Sequence, residues 1–104
     1  TTTICHSGSS DIPSFTKNAD IIIVALGVPE FLTGNMIKKG SVIVDVGINR
    51  VDDDSEKGYH LVGDIKWDEI NGKASAVTPV PGGVGPMTIA MLVENTIEAA
   101  EALK

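Results

Sequence analysis

The sequence predicts an α/β domain with a parallel, wound sheet and flanking helices. Three observations carry that expectation. Short apolar runs (Ile21 to Leu26, Ser41 to Val46 and Ser75 to Val80) alternate with stretches of helical pattern, the order of strand–helix–strand units. The first run is continuous rather than alternating, as in strands buried on both faces of a parallel sheet. Each run also ends in glycine or proline, at Gly27-Val28-Pro29, at Gly47, and at Pro79 and Pro81.

In chain order, Thr2 to Cys5 is a brief β-prone opening, followed by a small polar cluster from His6 to Ser10. Asp11 to Asn18 reads as a short helix, with Asp11 as N-cap and Pro13 in the first turn, where proline is tolerated. Thr33 to Lys39 reads as a second helix closed by Gly40. Val51 to Gly58 is a charged surface loop, and Tyr59 to Ile65 a short extended return. A helical turn or two around Trp67 to Asn71 stops at Gly72. Met87 to Leu103 carries the strongest helical pattern. Glu94, Glu98 and Glu101 share one face, and Ile89, Leu92, Val93, Ile97, Ala100 and Leu103 cover the other.

At 104 residues the chain is one domain or a piece of one, with material for a single core. Eight basic against 14 acidic residues give a net charge of −6. The basic side chains are scattered rather than clustered, which argues against nucleic acid and acidic membrane surfaces as partners. The longest apolar run falls far short of the roughly 18–20 residues that span a bilayer, and no secretory leader opens the chain. A lone Cys5 cannot form an internal disulfide, which fits a reducing compartment. The expectation is a soluble, cytoplasmic domain.

In open parallel sheets, ligands sit beyond the carboxyl ends of the strands. Four segments lie there: Cys5 to Ser10, Gly27 to Pro29, Gly47 to Arg50, and Pro79 to Thr88. The densest is Pro79-Val80-Pro81-Gly82-Gly83-Val84-Gly85-Pro86-Met87-Thr88. Its prolines stop the preceding strand, and its glycines let a planar ligand approach the backbone without Cβ interference. Pro86 suits a first helical position, which leaves the unpaired N–H groups of a helix start facing an anion or a carbonyl oxygen. An ordinary strand-to-helix turn would use the same residues.

This segment resembles the C-terminal signature of the bifunctional methylenetetrahydrofolate dehydrogenase/methenyltetrahydrofolate cyclohydrolase family. Ile4-Cys5-His6-Ser7, Asp45-Val46-Gly47-Ile48-Asn49-Arg50 and Val62-Gly63-Asp64 agree with it in order and spacing. The resemblance runs through essentially the whole chain. It implies a partial Rossmann-like domain lacking its first β-α unit, so that residues 1–104 are the later part of an NAD(P)-binding domain. It also implies a parent enzyme that oxidises 5,10-methylenetetrahydrofolate with NAD(P) and hydrolyses the methenyl product to 10-formyltetrahydrofolate, in the one-carbon chemistry that feeds purine biosynthesis.

Residue by residue, the resemblance assigns Val80, Pro81, Gly82, Gly83, Val84, Gly85, Pro86, Met87 and Thr88 to the folate side of the cleft. Gly47 and Ile48 match the segment whose backbone meets the nicotinamide. His6 and Ser7 match the recognition point for the adenosine ribose or its 2′-phosphate. That turn offers hydroxyls, an imidazole and backbone donors, with no carboxylate before Asp11, so NADP is preferred and NAD stays possible. Gly8 stands where many relatives carry a basic residue, which weakens the preference. A serine-rich turn that only caps the next helix remains the plainer reading.

No glycine-rich phosphate turn opens the chain and no Tyr-x-x-x-Lys occurs in it. The resemblance places both upstream, the second in an N-terminal catalytic domain. The chain therefore supplies no catalytic residue and is expected to be inactive alone. Its implied partners are tetrahydrofolate derivatives, its own N-terminal domain and, in a homodimer, a second copy. The alternative is a non-catalytic α/β module that binds a nucleotide or a partner. Among single residues, Asp45 reads as a buried structural carboxylate, Asp64 as a loop orienter or a cap before Trp67, and Met87 and Met91 as core. His6 is more a polar surface residue than a catalyst, His60 belongs to a surface loop, and Asp52 to Asp54 form a solvated acidic loop rather than a metal site. Valine at Gly83 is expected to block close approach of the folate.

Overall fold

The β-branched run Ile21–Val24 forms β1, which pairs in parallel with β2 (Val42–Asp45) from Ile21↔Val42 to Val24↔Asp45. The computed structural model describes residues 1–104. On its other side β2 pairs in parallel with β5 (Ala76–Val77), so the sheet order is β1-β2-β5 with β2 central. Of two short helices, α1 (Ile12–Thr16) precedes β1 and α2 (Trp67–Ile70) precedes β5. A long helix, α3 (Val84–Ala102), follows the sheet. The α/β class with a parallel sheet and flanking helices is as the sequence predicts.

One side of this sheet carries the core. Ile22 and Val24 from β1 and Ile43 from β2 pack with Leu32, Ile37, Ile65 and Ile70 from the connections. Ile21 and Ile23 point to the other face and are 64% and 69% exposed. The expectation of burial on both faces is therefore corrected, because a layer covers one face of this chain's sheet and none covers the other. Two-sided burial in a parallel sheet needs helices on both faces.

Several elements depart from their predicted bounds. Thr2 to Cys5 pairs with no strand, and Ile4 is exposed. The predicted helix Thr33 to Lys39 shrinks to a 3-10 turn, Gly34–Met36. Side chains take its backbone groups: Glu69 accepts the Gly34 N–H at 3.1 Å and the Lys73 ammonium donates to the Gly34 carbonyl at 2.7 Å. Glycine and asparagine in its first turn also weaken a helix. Only two residues of the run from Ser75 to Val80 join the sheet, since prolines close it.

The predicted surface loop begins as a strand. β3 (Asn49–Asp52) pairs antiparallel with β4 (Tyr59–Val62), and the loop proper narrows to the turn between them. The polar sequence of β3 hides a strand that is held by its partner, with the Arg50 guanidinium 4.0 Å above the Tyr59 ring. Asp53 and His60 close the tip through a 2.7 Å contact.

Helix α3 begins at Val84, three residues before the predicted start, so Pro86 sits third in the helix rather than first. The N–H groups of that turn have no intrahelical acceptor, so proline still fits there. No residue of α3 is buried. Met87, Ile89, Met91, Leu92, Val93, Ile97 and Leu103 are all exposed, so the expected packing of this stripe, and of Met87 and Met91, in the core is not found.

Candidate functional site

The carboxyl ends of the parallel strands are tied together by two buried aspartates. Asp45 ends β2 and is 1% exposed; Asp64 follows β4 and is fully buried. Asp45 Oδ1 accepts the N–H groups of Gly47 (3.0 Å) and Asp64 (3.1 Å). Its own N–H donates to Thr78 Oγ1 at 2.8 Å, fixing the end of β2 to the end of β5. Asp64 Oδ2 accepts from the N–H groups of Leu26 (2.6 Å) and Gly27 (3.0 Å), which follow β1. Asp64 Oδ1 accepts from Asn49 Nδ2 at 2.8 Å.

The two carboxylates also explain two glycines. A Cβ at Gly63 would overlap the Asp45 carboxylate, and a Cβ at Gly47 would overlap that of Asp64. Each aspartate thus lies against the glycine beside the other. Neither contact calls for a positive φ; the requirement is space.

Burial of Asp64 pushes its pKa up, but the hydrogen bonds from Asn49, Leu26 and Gly27 outweigh this and hold it below the ordinary aspartate value of 3.8. A carboxyl whose pKa is depressed by folding adds stability above its unfolded pKa, and that stability is lost as the pH falls through the lower folded value. For Asp64 the loss begins below about pH 4. Asp64→Asn lowers the urea midpoint at neutral pH and flattens its decline below about pH 4, since the titrating group is gone. A decline as steep as the unmodified protein's would remove Asp64 from the acid transition.

Around this latch the chain leaves a cleft of about 280 Å³, whose lining includes Glu30, Asp45, Gly63, Trp67, Pro79 and Val80. Gly47 is buried against Asp64, while its neighbour Ile48 is 59% exposed. The N–H and C=O of Ile48 have no partner within the chain. The Val80–Pro81 bond is cis, and Gly82 has φ +92°. Gly83 faces Pro79 O and Thr78, so a side chain there would strike the chain's own backbone, whereas Cβ atoms at Gly82 and Gly85 would meet nothing within 4 Å. Thr88 Oγ1 donates to the Val84 carbonyl at 3.0 Å.

Not all sequence-predicted residues come together. Val80 lines the cleft, and Gly47 belongs to the latch. Val84, Met87 and Thr88 lie along an open face of α3 with Met91, Leu92 and Asn95. His6 and Ser7 stand apart in the opening turn, where His6 Nδ1 accepts the Gly8 N–H at 2.9 Å and the His6 N–H donates to Ser9 Oγ at 2.9 Å. Sequence alone does not single out Asn49, Gly63 or Thr78 as neighbours of the aspartates. The available signal was the pair of glycines beside two aspartates at strand ends.

The whole chain, residues 1–104, matches the family described as tetrahydrofolate dehydrogenase/cyclohydrolase, NAD(P)-binding domain. It is 61% identical over 100 residues to the bifunctional protein FolD of Chlorobium phaeobacteroides (strain BS1), covering 95% of this chain and 34% of that protein. It is 59% identical to FolD 2 of Haloarcula marismortui, covering 96% and 34%. Among solved structures, the Campylobacter jejuni FolD methylenetetrahydrofolate dehydrogenase/cyclohydrolase superposes with a TM-score of 0.87 at 48% identity, over 98% of this chain and 34% of that one. The Trypanosoma brucei enzyme, solved with NADP cofactor and inhibitor, superposes with a TM-score of 0.78 at 43% identity, over 84% and 30%. The chain therefore spans about a third of the length of these relatives. With a match along its entire length and a Rossmann-like sheet to go with it, the chain belongs to the tetrahydrofolate dehydrogenase/cyclohydrolase family, within the NAD(P)-binding domain.

Proposed function

We propose that residues 1–104 are the later part of the NAD(P)-binding domain of a longer, bifunctional folate enzyme, which oxidises 5,10-methylenetetrahydrofolate and hydrolyses the methenyl product. The observation that carries this reading is the junction of three strand ends around Asp45 and Asp64, with the backbone of Ile48 left free beside it. That is where a wound sheet holds a nucleotide cofactor. The residues present fit a nicotinamide: an amide N–H and a carbonyl side by side match both the acceptor and the donors of a carboxamide.

When bound, the nicotinamide supplies the hydride acceptor. The Ile48 backbone would hold that acceptor where it could take the hydride given up by the folate methylene carbon, which would leave the folate as the methenyl cation. Ile48 fixes the ring, and Val80 to Thr88 hold the folate, with Gly82 and Gly85 leaving its approach open. Such a step depends on holding donor and acceptor at near-contact distance. His6 and Ser7 face the ribose and, with NADP, the 2′-phosphate. Hydrolysis adds water to the methenyl carbon, releases one proton and opens the ring to 10-formyltetrahydrofolate. Its acid–base groups lie in the N-terminal domain.

In this reading, which here rests on the family resemblance alone, the parent is a cytoplasmic homodimer making one-carbon units for purine biosynthesis. No helix of the chain is long and apolar enough to cross a membrane. The purified full-length protein is assayed with 5,10-methylenetetrahydrofolate and either NADP or NAD. The expected result is cofactor-dependent formation of the methenyl product with a higher kcat/KM for NADP, and hydrolysis of added methenyltetrahydrofolate. Absence of oxidation with both cofactors overturns the reading.

A further inference from the structure

The residues flanking Ile48 are both held by one side chain. Asn49 Nδ2 donates to Asp64 Oδ1, and Gly47 packs so closely on the same carboxylate that no Cβ fits between them. The other oxygen of Asp64 holds the Leu26 and Gly27 amides, which close the loop after β1. Asp64 itself is pinned at both backbone groups: its N–H donates to Asp45 Oδ1, and its carbonyl accepts the Leu32 N–H at 2.9 Å. A hydrophobic residue would fill this buried volume without needing donors. A buried carboxylate is stable there only because its donors converge, and the same donors specify one backbone arrangement.

We infer that Asp64 is the positioning residue for the nicotinamide-binding backbone at Gly47–Ile48, acting through Asn49 and the loop after β1 and touching neither ligand. The inference rests on the cofactor reading of Ile48 given above. The arrangement makes a directional demand. Asp64 accepts on both oxygens, so an asparagine there must turn a donor NH₂ toward either the two amides or the Asn49 NH₂. Exchanging the two residues restores the match. The relocated amide can accept from Leu26 and Gly27 with its oxygen, while its NH₂ donates to the relocated carboxylate.

The experiment compares full-length wild type, D64N and the exchange variant D64N/N49D. It reads dehydrogenase kcat, the cyclohydrolase rate, the Kd for NADPH by fluorescence titration, and amide hydrogen exchange at Leu26, Gly27 and Gly47. Because a hydride transfer loses rate steeply with misplacement, D64N is expected to lose about tenfold in kcat for oxidation. The cyclohydrolase rate should stay near wild type, since hydrolysis needs no aligned nicotinamide. Exchange at the three amides should accelerate, and the double exchange should recover both kcat and protection.

If both activities fall together in D64N, or the double exchange recovers nothing, the residue is structural only and the inference is overturned. A D64N enzyme with unchanged kcat overturns it as well, while wild type still oxidises its substrate and the cofactor reading survives. A wild type without NADP-linked oxidation sinks the reading and the inference with it. Should D64N fail to fold, N49A keeps both amide bonds and is expected to lose about threefold in oxidation alone; wild-type kcat in N49A overturns the inference.

Discussion

Alanine at Gly63 lowers the stability of the full-length protein by about 3 kcal/mol or more, enough to abolish soluble expression of a marginally stable domain. The added methyl would occupy the place of the Asp45 carboxylate, which is 1% exposed and has nowhere to withdraw. Asp45 already accepts from Gly47 and Asp64, and moving it would strand a buried charge without donors. Gly40 provides the contrast. Its φ is +84°, yet a Cβ there meets nothing within 4 Å. Gly40→Ala should cost about 1–2 kcal/mol through backbone strain alone. Thermal melts of both variants read the difference. Equal losses, or a Gly63→Ala protein melting near wild type, would mean that the Asp45 carboxylate shifts freely and the latch is not rigid.

What the sequence reveals and what it hides have the same physical origin. β1 and β2 are legible because isoleucine and valine runs end in glycine, a signal confined to neighbouring residues. α1 is legible because Asp11 and Pro13 mark its start, although Asp11 then adopts φ 51° and caps nothing with its side chain. β3 is hidden because Asn49-Arg50-Val51-Asp52 becomes a strand only by pairing with Tyr59–Val62. The 3-10 turn at Gly34 is set by Glu69 and Lys73, side chains far along the chain.

The candidate site divides in the same way. Asp45 and Asp64 stand out in sequence as carboxylates beside apolar strands, and Asp45 is read there as buried and structural. Their meeting cannot be read, because Asp64 reaches Leu26 and Gly27 across 38 and 37 residues. The helical pattern of α3 is legible but the location of its apolar stripe is not. That stripe and the outward face of β1, with Ile21 and Ile23, are exposed in these residues alone. The sequence pattern states that they need covering, and nothing within residues 1–104 covers them.

Valine at Gly85 should lower kcat/KM for methylenetetrahydrofolate by about a hundredfold in the full-length protein while changing its melting temperature little. Gly83 is the position that sequence alone suggests for blocking the folate. A side chain there would run into Pro79 O and press on Thr78, so loss of activity in Gly83→Val would mix a folding defect with a binding one. Gly85 separates the two. It lies in the first turn of α3, needs no positive φ, and a Cβ there meets nothing within 4 Å. Valine is a better helix former than glycine, but before Pro86 its Cβ crowds the proline ring, so the two effects oppose each other and the net change in α3 is small. Beyond its chain neighbours and its own helix turn, the space beside Gly85 is empty within this chain, so a side chain that obstructs catalysis there with little change in stability is meeting the ligand or the domain that helps to hold it. Fluorescence titration with NADPH distinguishes these from a cofactor effect, since Ile48 lies on a different loop and binding of the cofactor alone should be unchanged. A Gly85→Val enzyme with wild-type kinetics would move the folate away from the start of α3 and leave Val80 to Gly83 as its only contacts on this chain.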